Sequence, residues 1–312
     1  MKKSSTCLFV VFLVIAGCKK DPEVVTFSNN TIPDYDEVPT LLVENYVNRL
    51  YIDLIGRSPT NDEMSRDVNS LESDHLSFES RGNLVDNLMN GTAAVEGDTT
   101  YSHAYSQKFY DDNKARFLDG ISEAEVFEQY YLYYYISVQD SMSGNMLAYE
   151  LNRETSNNVR RVIDVKTQVR SGQITNDEIC RRMCFNVIYD DLHMGSFNFI
   201  NATFDDLFFR YPTDEELDEA FEPIEQVPSA EDPDLTGYLF GQNFSNKTEY
   251  LQMLTSTQEF AEGMIRWAYI ALLSREPATA EIFGKLSTYN NGHNIKAIQK
   301  SILITDEYAG FQ

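Results

Sequence analysis

Four cysteines, four histidines and forty-nine carboxylates carry most of the chemistry open to this chain. Cys180 and Cys184 stand four apart in Ile179-Cys-Arg-Arg-Met-Cys-Phe185, on one face if the segment is a helix. Two thiols with no nearby histidine or further cysteine make a poor zinc site. They read as two small buried residues, as a strained intrahelical disulfide, or as a functional thiol pair. His75, His103, His193 and His293 are scattered and read as surface residues; no His-x-x-x-His or His-Glu-x-x-His spacing nominates a metal. Nothing marks a serine nucleophile elbow or a phosphate-binding loop. The carboxylates are too many for any pair to announce a glycosidase. Phe127-Glu-Gln-Tyr-Tyr-Leu-Tyr-Tyr-Tyr135 places Tyr130, Tyr131, Tyr133, Tyr134 and Tyr135 in one short stretch. Tyrosine gives rigid area with a polar tip, so this stripe is either a deeply packed helix or a contact surface for protein or sugar. No residue set calls for a catalytic role, a metal or a cofactor.

The N-terminus carries an address. Met1-Lys2-Lys3 is basic, Leu8 to Ala16 is apolar, and Ile15-Ala16-Gly17-Cys18 closes the run. A basic start, a short apolar stretch and small residues before a cut site describe a secretory signal. The run is too short for an ordinary membrane span. Its end resembles the bacterial lipobox, in which the cysteine is acylated and becomes the first residue of the mature chain; the bland alternative is a plain signal peptide with an incidental cysteine. Lys20-Asp21-Pro22-Glu23 is similar to the Lys-plus-acid signal of Bacteroidota surface lipoproteins. The expectation is a protein anchored in the outer membrane through lipid on Cys18, facing outward, with the periplasmic face as the alternative. Asp98-Thr99-Thr100 and Asp140-Ser141-Met142 are similar to O-glycosylation sites of the same bacteria, which nominates Thr99 and Ser141. A net charge of −24 repels phosphate backbones and argues against nucleic-acid binding.

The elements that must position these groups read as helices. Leu42, Tyr46, Val47, Leu50, Tyr51 and Leu54 recur at three- and four-residue steps, as do Leu84, Val85, Leu88 and Met89. Residues 123–138, 145–170, 175–193, 246–273 and 294–308 continue the pattern, and Thr175-Asn-Asp-Glu178 reads as a capping box. Breaks fall at 91–101, 137–144 and 223–236. Strand-like alternation is scarce, so the expected class is all-α, an irregular multi-helix array. The expected organisation is a signal peptide over 1–17, a lipidated tether over 18–40, an N-terminal helical domain over 41–222, an acidic proline-containing loop over 223–237, and a C-terminal helical region over 238–312 packed on the first. One stretch reverses the charge: from Arg153 to Arg182 there are seven bases and four acids. It reads as internal pairing with acidic neighbours or as a docking face for an acidic partner.

One motif occurs three times. Tyr51-Ile-Asp-Leu-Ile-Gly-Arg-Ser-Pro-Thr-Asn-Asp-Glu-Met64 aligns without gaps to Phe204-Asp-Asp-Leu-Phe-Phe-Arg-Tyr-Pro-Thr-Asp-Glu-Glu-Leu217. Both align to Tyr269-Ile-Ala-Leu-Leu-Ser-Arg-Glu-Pro-Ala-Thr-Ala-Glu-Ile282. The shared arginines are Arg57, Arg210 and Arg275, the prolines Pro59, Pro212 and Pro277, the glutamates Glu63, Glu216 and Glu281. Proline turns its predecessor away from helix, so a first helix stops near the arginine. Thr60-x-x-Glu63 and Thr213-x-x-Glu216 then cap a second. The third copy has Ala278 in place of the threonine. The expectation is three helix–Arg-x-Pro–helix corners, each arginine facing the last turn of its helix or pairing with its glutamate; three convergent arginines would instead bind a ligand. Spacings of 153 and then 65 residues exclude a regular solenoid.

Asn48-Arg-Leu-Tyr-Ile-Asp-Leu-Ile-Gly-Arg-Ser-Pro-Thr-Asn-Asp-Glu63 resembles the opening of an uncharacterised domain family found beside cytochrome-c-like modules in planctomycete proteins, and Arg81-Gly-Asn-Leu-Val-Asp-Asn-Leu-Met89 resembles its next helix. Tyr269 to Glu281, with Ser301-Ile-Leu-Ile-Thr-Asp-Glu-Tyr308, is similar to the end of its C-terminal companion. The resemblance implies a fold relation over about residues 41–120 and 250–312, and no chemistry. With no catalytic signature, the residues favour a non-catalytic binding or scaffold protein, an accessory subunit that meets an outer-membrane protein. The rival is a surface hydrolase or glycan-acting enzyme using carboxylates that the sequence does not single out.

Overall fold

The computed structural model describes residues 37–93, 100–225 and 235–311. Among them lie sixteen helices and one short hairpin. The first group is α1 (Thr40–Ile55), α2 (Asn61–Ser73), α3 (Phe78–Asn90) and α4 (Tyr101–Phe117). Next come α5 (Glu123–Ser143), α6 (Met146–Ile163), α7 (Val165–Arg170), α8 (Asn176–Cys184) and α9 (Val187–Leu192). The chain continues through α10 (Ser196–Phe208), α11 (Asp214–Glu225), β1 (Gly237–Leu239) and β2 (Gln242–Phe244). It ends with α12 (Lys247–Leu254), α13 (Gln258–Leu273), α14 (Thr279–Asn290), α15 (Ile295–Leu303) and α16 (Asp306–Ala309). The protein is an all-α multi-helix array. No described helix is long and apolar enough to cross a membrane.

The apolar stripe of α1 is buried along its length, from Val43 through Tyr46, Leu50 and Leu54. Its hydrogen-bond partners include residues more than 200 positions further along the chain. Tyr46 donates its hydroxyl to the Leu303 carbonyl at 3.1 Å, and Tyr308 donates to Asp53 at 2.8 Å. Arg81, fully buried, pairs with Asp306 at 2.8 Å. Helix α4 runs through the middle and buries Tyr105, Phe109, Tyr110 and Phe117. Its Tyr105 hydroxyl donates to Gln299 of α15 at 2.7 Å. Helix α13 crosses α10 so closely that a methyl group on Gly263 would overlap the Leu207 carbonyl. Only glycine permits that backbone approach.

Several boundaries differ from the sequence reading. The expected break at 137–144 is helical to Ser143; Ser137 is buried and returns its hydroxyl to the Tyr134 carbonyl at 2.6 Å, and the turn waits for Gly144 at φ +79°. The 145–170 segment divides at Asp164, and 175–193 divides at Phe185 and Asn186. Thr175 is an N-cap whose side chain makes no cap bond, so no capping box forms there. Glu178 is taken instead by Arg182 at 2.6 Å and Arg181 at 3.1 Å. Ser141 lies in the last turn of α5 rather than in a loop, and it is exposed.

Candidate functional site

The tyrosine stripe lies on α5, and α5 is the least covered long helix. Ser122 and Glu125 form a capping box at its start. At 1.5 Å per residue its 21 residues extend about 31 Å. It packs against α6 and against no other helix to a comparable extent. Only Val126 and Ser137 on it are buried. Burial cannot account for the aromatic content, because Tyr131 and Tyr135 are exposed and Tyr130, Tyr133 and Tyr134 are half-buried.

The rings form a ladder. Phe127 stacks on Tyr131 at 6.3 Å, Tyr131 on Tyr135 at 6.1 Å and Tyr130 on Tyr134 at 6.2 Å. Arg153 and Arg160 of α6 lie over Tyr134 and Tyr130 at 4.9 and 5.8 Å. Steps of four, three and four residues put Tyr131, Tyr135, Val138 and Met142 on one side of α5, all of them exposed. The tip bears Met142, 84% exposed, and Leu147, 72% exposed, in a run from Ser141 to Tyr149 without one charge. Rigid aromatic area edged by arginine is the composition of protein contact sites, and apolar exposure of this extent is uncommon on a surface that meets only water.

The three Arg-x-Pro corners share one geometry. Each first helix ends in a left-handed residue, Gly56, Phe209 or Ser274, so the arginine lies just past the last turn rather than in it. Arg57 donates two parallel bonds to Glu63 at 2.7 and 2.8 Å. Arg210 does the same to Glu216 at 2.7 and 2.8 Å, and Arg275 to Glu281 at 2.9 and 2.8 Å. Each guanidinium also donates at 3.0 Å to the carbonyl just before the proline, that of Ser58, Tyr211 or Glu276. The motif's aromatic lies beneath it, Tyr51 at 5.6 Å, Phe204 at 5.0 Å and Tyr269 at 5.2 Å. The glutamate turns back to the next helix's N-cap amide, from Thr60, Thr213 or Ala278, at 2.8, 2.8 and 2.7 Å. Burial pushes the Glu63 carboxyl up, but Arg57, the Thr60 amide and the Tyr101 hydroxyl outweigh it and hold it at about 2. Arg275 holds Glu281 at about 2.

A second carboxylate completes two of the corners. Glu259 binds Arg210 at 3.0 Å and Glu307 binds Arg275 at 2.7 Å. Both stand in the same local sequence, Thr257-Gln-Glu-Phe-Ala261 and Thr305-Asp-Glu-Tyr-Ala309, where the threonine caps the helix. That short repeat is visible in the sequence, but it lies 49 and 32 residues past its arginine and only packing ties the two together. In the first corner the added bond falls on the glutamate instead, Tyr101 donating to Glu63 at 2.7 Å. Each arginine is therefore occupied within its own corner, and among the described residues the bonds of the three go to different partners.

Comparison with family models, with curated proteins and with solved structures returned no match.

Cys180 and Cys184 are free thiols at zero exposure. Cys180 contacts the Met264 sulfur at 3.8 Å, and burial pushes its thiol up to about 12. Among the described residues no group of three or more His, Cys, Asp or Glu could hold a metal ion. Of the histidines only His75 is exposed. His103 accepts from Arg170 at 2.7 Å, His193 packs on Tyr189 at 4.4 Å, and His293 Nδ1 lies 3.6 Å from Asp177. The basic stretch is largely paired internally: Arg160 with Asp164 at 3.1 Å, Lys166 with Glu123, Arg181 with Asp177 at 3.2 Å, Arg182 with Glu178. Cys18 and Thr99 lie outside the described residues.

Proposed function

We propose that the protein is a lipid-anchored, surface-facing helical binding or scaffold protein of the outer membrane that engages a protein partner through the aromatic side of α5. The observation that carries this reading is the uncovered stripe Tyr131–Tyr135–Val138–Met142 on a well-capped helix that packs mainly on its hairpin partner. Leaving that much apolar area in water is unfavourable by about 25 cal/mol per Å², and a partner would remove it from water. The anchor rests on the sequence around Cys18. Mass spectrometry of the mature N-terminus tests it: the reading expects an acylated Cys18, and an unmodified one refutes it. Purification from membranes in mild detergent tests the contact. A stoichiometric outer-membrane protein retained by the wild type and lost from a Tyr131→Ser/Tyr135→Ser variant supports the reading; equal retention by both overturns it.

The enzyme reading has one observation of its own, a cavity of about 730 Å³ between α11 and β1 that is lined by Glu215, Asp218 and Glu222. Release of sugar from surface glycans, lost on Glu215→Gln or Glu222→Gln, would favour it over the scaffold.

A further inference from the structure

A second cavity, of about 300 Å³, lies where α4, α7, α8 and the turn between α14 and α15 meet. Four features set it apart. First, no carboxylate lines it, in a chain with nearly twice as many acids as bases. Second, its wall carries Lys296, whose ammonium donates to Asn90 at 3.1 Å, lies 4.7 Å from the Tyr105 ring, and forms no salt bridge among the described residues. An ammonium has three donors, so two remain. Third, His293 lines it from a left-handed backbone position, φ +51°, with Nδ1 directed at the Asp177 carboxylate 3.6 Å away. A non-glycine residue held there costs free energy, and such residues gather at functional sites. Asp177 faces the ring with Oδ1 and gives its other oxygen, Oδ2, to Arg181 at 3.2 Å, so Arg181 meets part of its charge. Fourth, the lining includes an aromatic and apolar patch, with Tyr105 and Phe109 nearly parallel at 6.0 Å, and Ile179.

The geometry points to a binding site for a small organic carboxylate, its anionic end held by Lys296 and His293 and its apolar body laid against Tyr105 and Phe109. The size is at the lower end of ligand pockets. Thr175 and Asn176 bring the start of α8 to the cavity with no Thr175 cap bond, and the acids of that first turn, Asp177 and Glu178, are paired with Arg181 and Arg182. Amides at a helix start favour an anion. Burial holds the Lys296 ammonium below its ordinary range, which an incoming carboxylate would reverse. The site is distinct from the α5 face and stands whether or not that face binds a partner.

Calorimetric titration of the full chain with phenylacetate, and with phenethylamine as its cationic counterpart, tests the proposal. Phenylacetate is expected to bind and phenethylamine not to. Lys296→Gln removes one charge-assisted bond and should weaken phenylacetate about ten- to a hundredfold. Ile174→Trp, which fills the cavity without touching a charge, should abolish binding, and Lys285→Gln, at a lysine elsewhere on α14, should leave it unchanged. Inorganic phosphate should bind at least tenfold more weakly, having no body to set against the rings. No heat with phenylacetate, equal binding of acid and amine, or binding that survives both Lys296→Gln and Ile174→Trp would each overturn the assignment. Phosphate as tight as phenylacetate would overturn the role of the apolar wall.

Discussion

The three corners are one device built at three depths, so they can be used against each other. The glutamate side chain is 4% exposed at Glu63, 17% at Glu216 and 31% at Glu281. The bond lengths are the same to within 0.2 Å, with two parallel bonds in each. If burial sets the worth of an ion pair, arginine-to-alanine variants must rank by depth. Removing one partner of a buried pair costs about 3–5 kcal/mol, because the other charge is stranded. Glu63 keeps its bonds from Thr60 and Tyr101, so Arg57→Ala belongs near the lower limit, about 3 kcal/mol. At Arg275 both carboxylates reach solvent, and about 1 kcal/mol is expected. Arg210→Ala should fall between them.

Acid titration gives an independent measure of the first corner. The Glu63 carboxyl is lowered from 4.5 to about 2, so the native state binds fewer protons than the unfolded chain in that interval. Its stabilisation is complete above about pH 4.5 and is lost as pH falls towards 2, amounting to about 3 kcal/mol. Arg57→Ala should flatten that acid slope as well as lower the plateau. Urea denaturation at pH 7 and at steps down to pH 3, read as midpoint at constant slope, measures both. Corners without shared partners should be additive, so the Arg57→Ala/Arg210→Ala double variant is expected within about 0.5 kcal/mol of the sum. Equal losses at the three corners, or the largest loss at Arg275, would refute the argument from depth.

Other consequences follow from buried groups. Gly263→Ala should lower stability by roughly 1–3 kcal/mol, through the clash with the Leu207 carbonyl, despite the helix propensity it gains; thermal denaturation checks this. Burial raises the Asp206 carboxyl from 3.8 to about 6, against the Tyr189 hydroxyl and Arg116. The native state therefore holds this proton longer than the unfolded chain, and stability should fall by about 2–3 kcal/mol between pH 4 and 6 and then level off. Asp206→Asn should remove that step from a pH series of denaturation midpoints. Cys180 and Cys184, fully buried with thiols raised by burial, should resist a disulfide reagent such as dithionitrobenzoate in the native state and react together on unfolding in urea.

Much of the helical framework is written in local chemistry. The stripe of α1, the Thr60 and Thr213 caps and the corner motif rest on contacts within about a dozen residues, so spacing alone reveals them. The misread places are those where a distant partner decides. The break expected at 137–144 did not form because α6 packs on α5, and the Thr175 box did not form because Arg181 and Arg182 claim Glu178. The three corners looked alike in sequence whether their arginines converged or not; only packing showed that Glu259 and Glu307 reach the arginine in two of them and that Tyr101 reaches Glu63 in the first. The tyrosine stripe had a period but no direction, since a helical repeat says which residues share a side and not what covers it. The Lys296 cavity had no sequence signal at all. Its walls come from positions near 105, 170, 175 and 293, each ordinary in its own segment. Local backbone preference and periodicity are properties of neighbours along the chain, whereas a cavity, its charge and its emptiness of carboxylates are properties of neighbours in space.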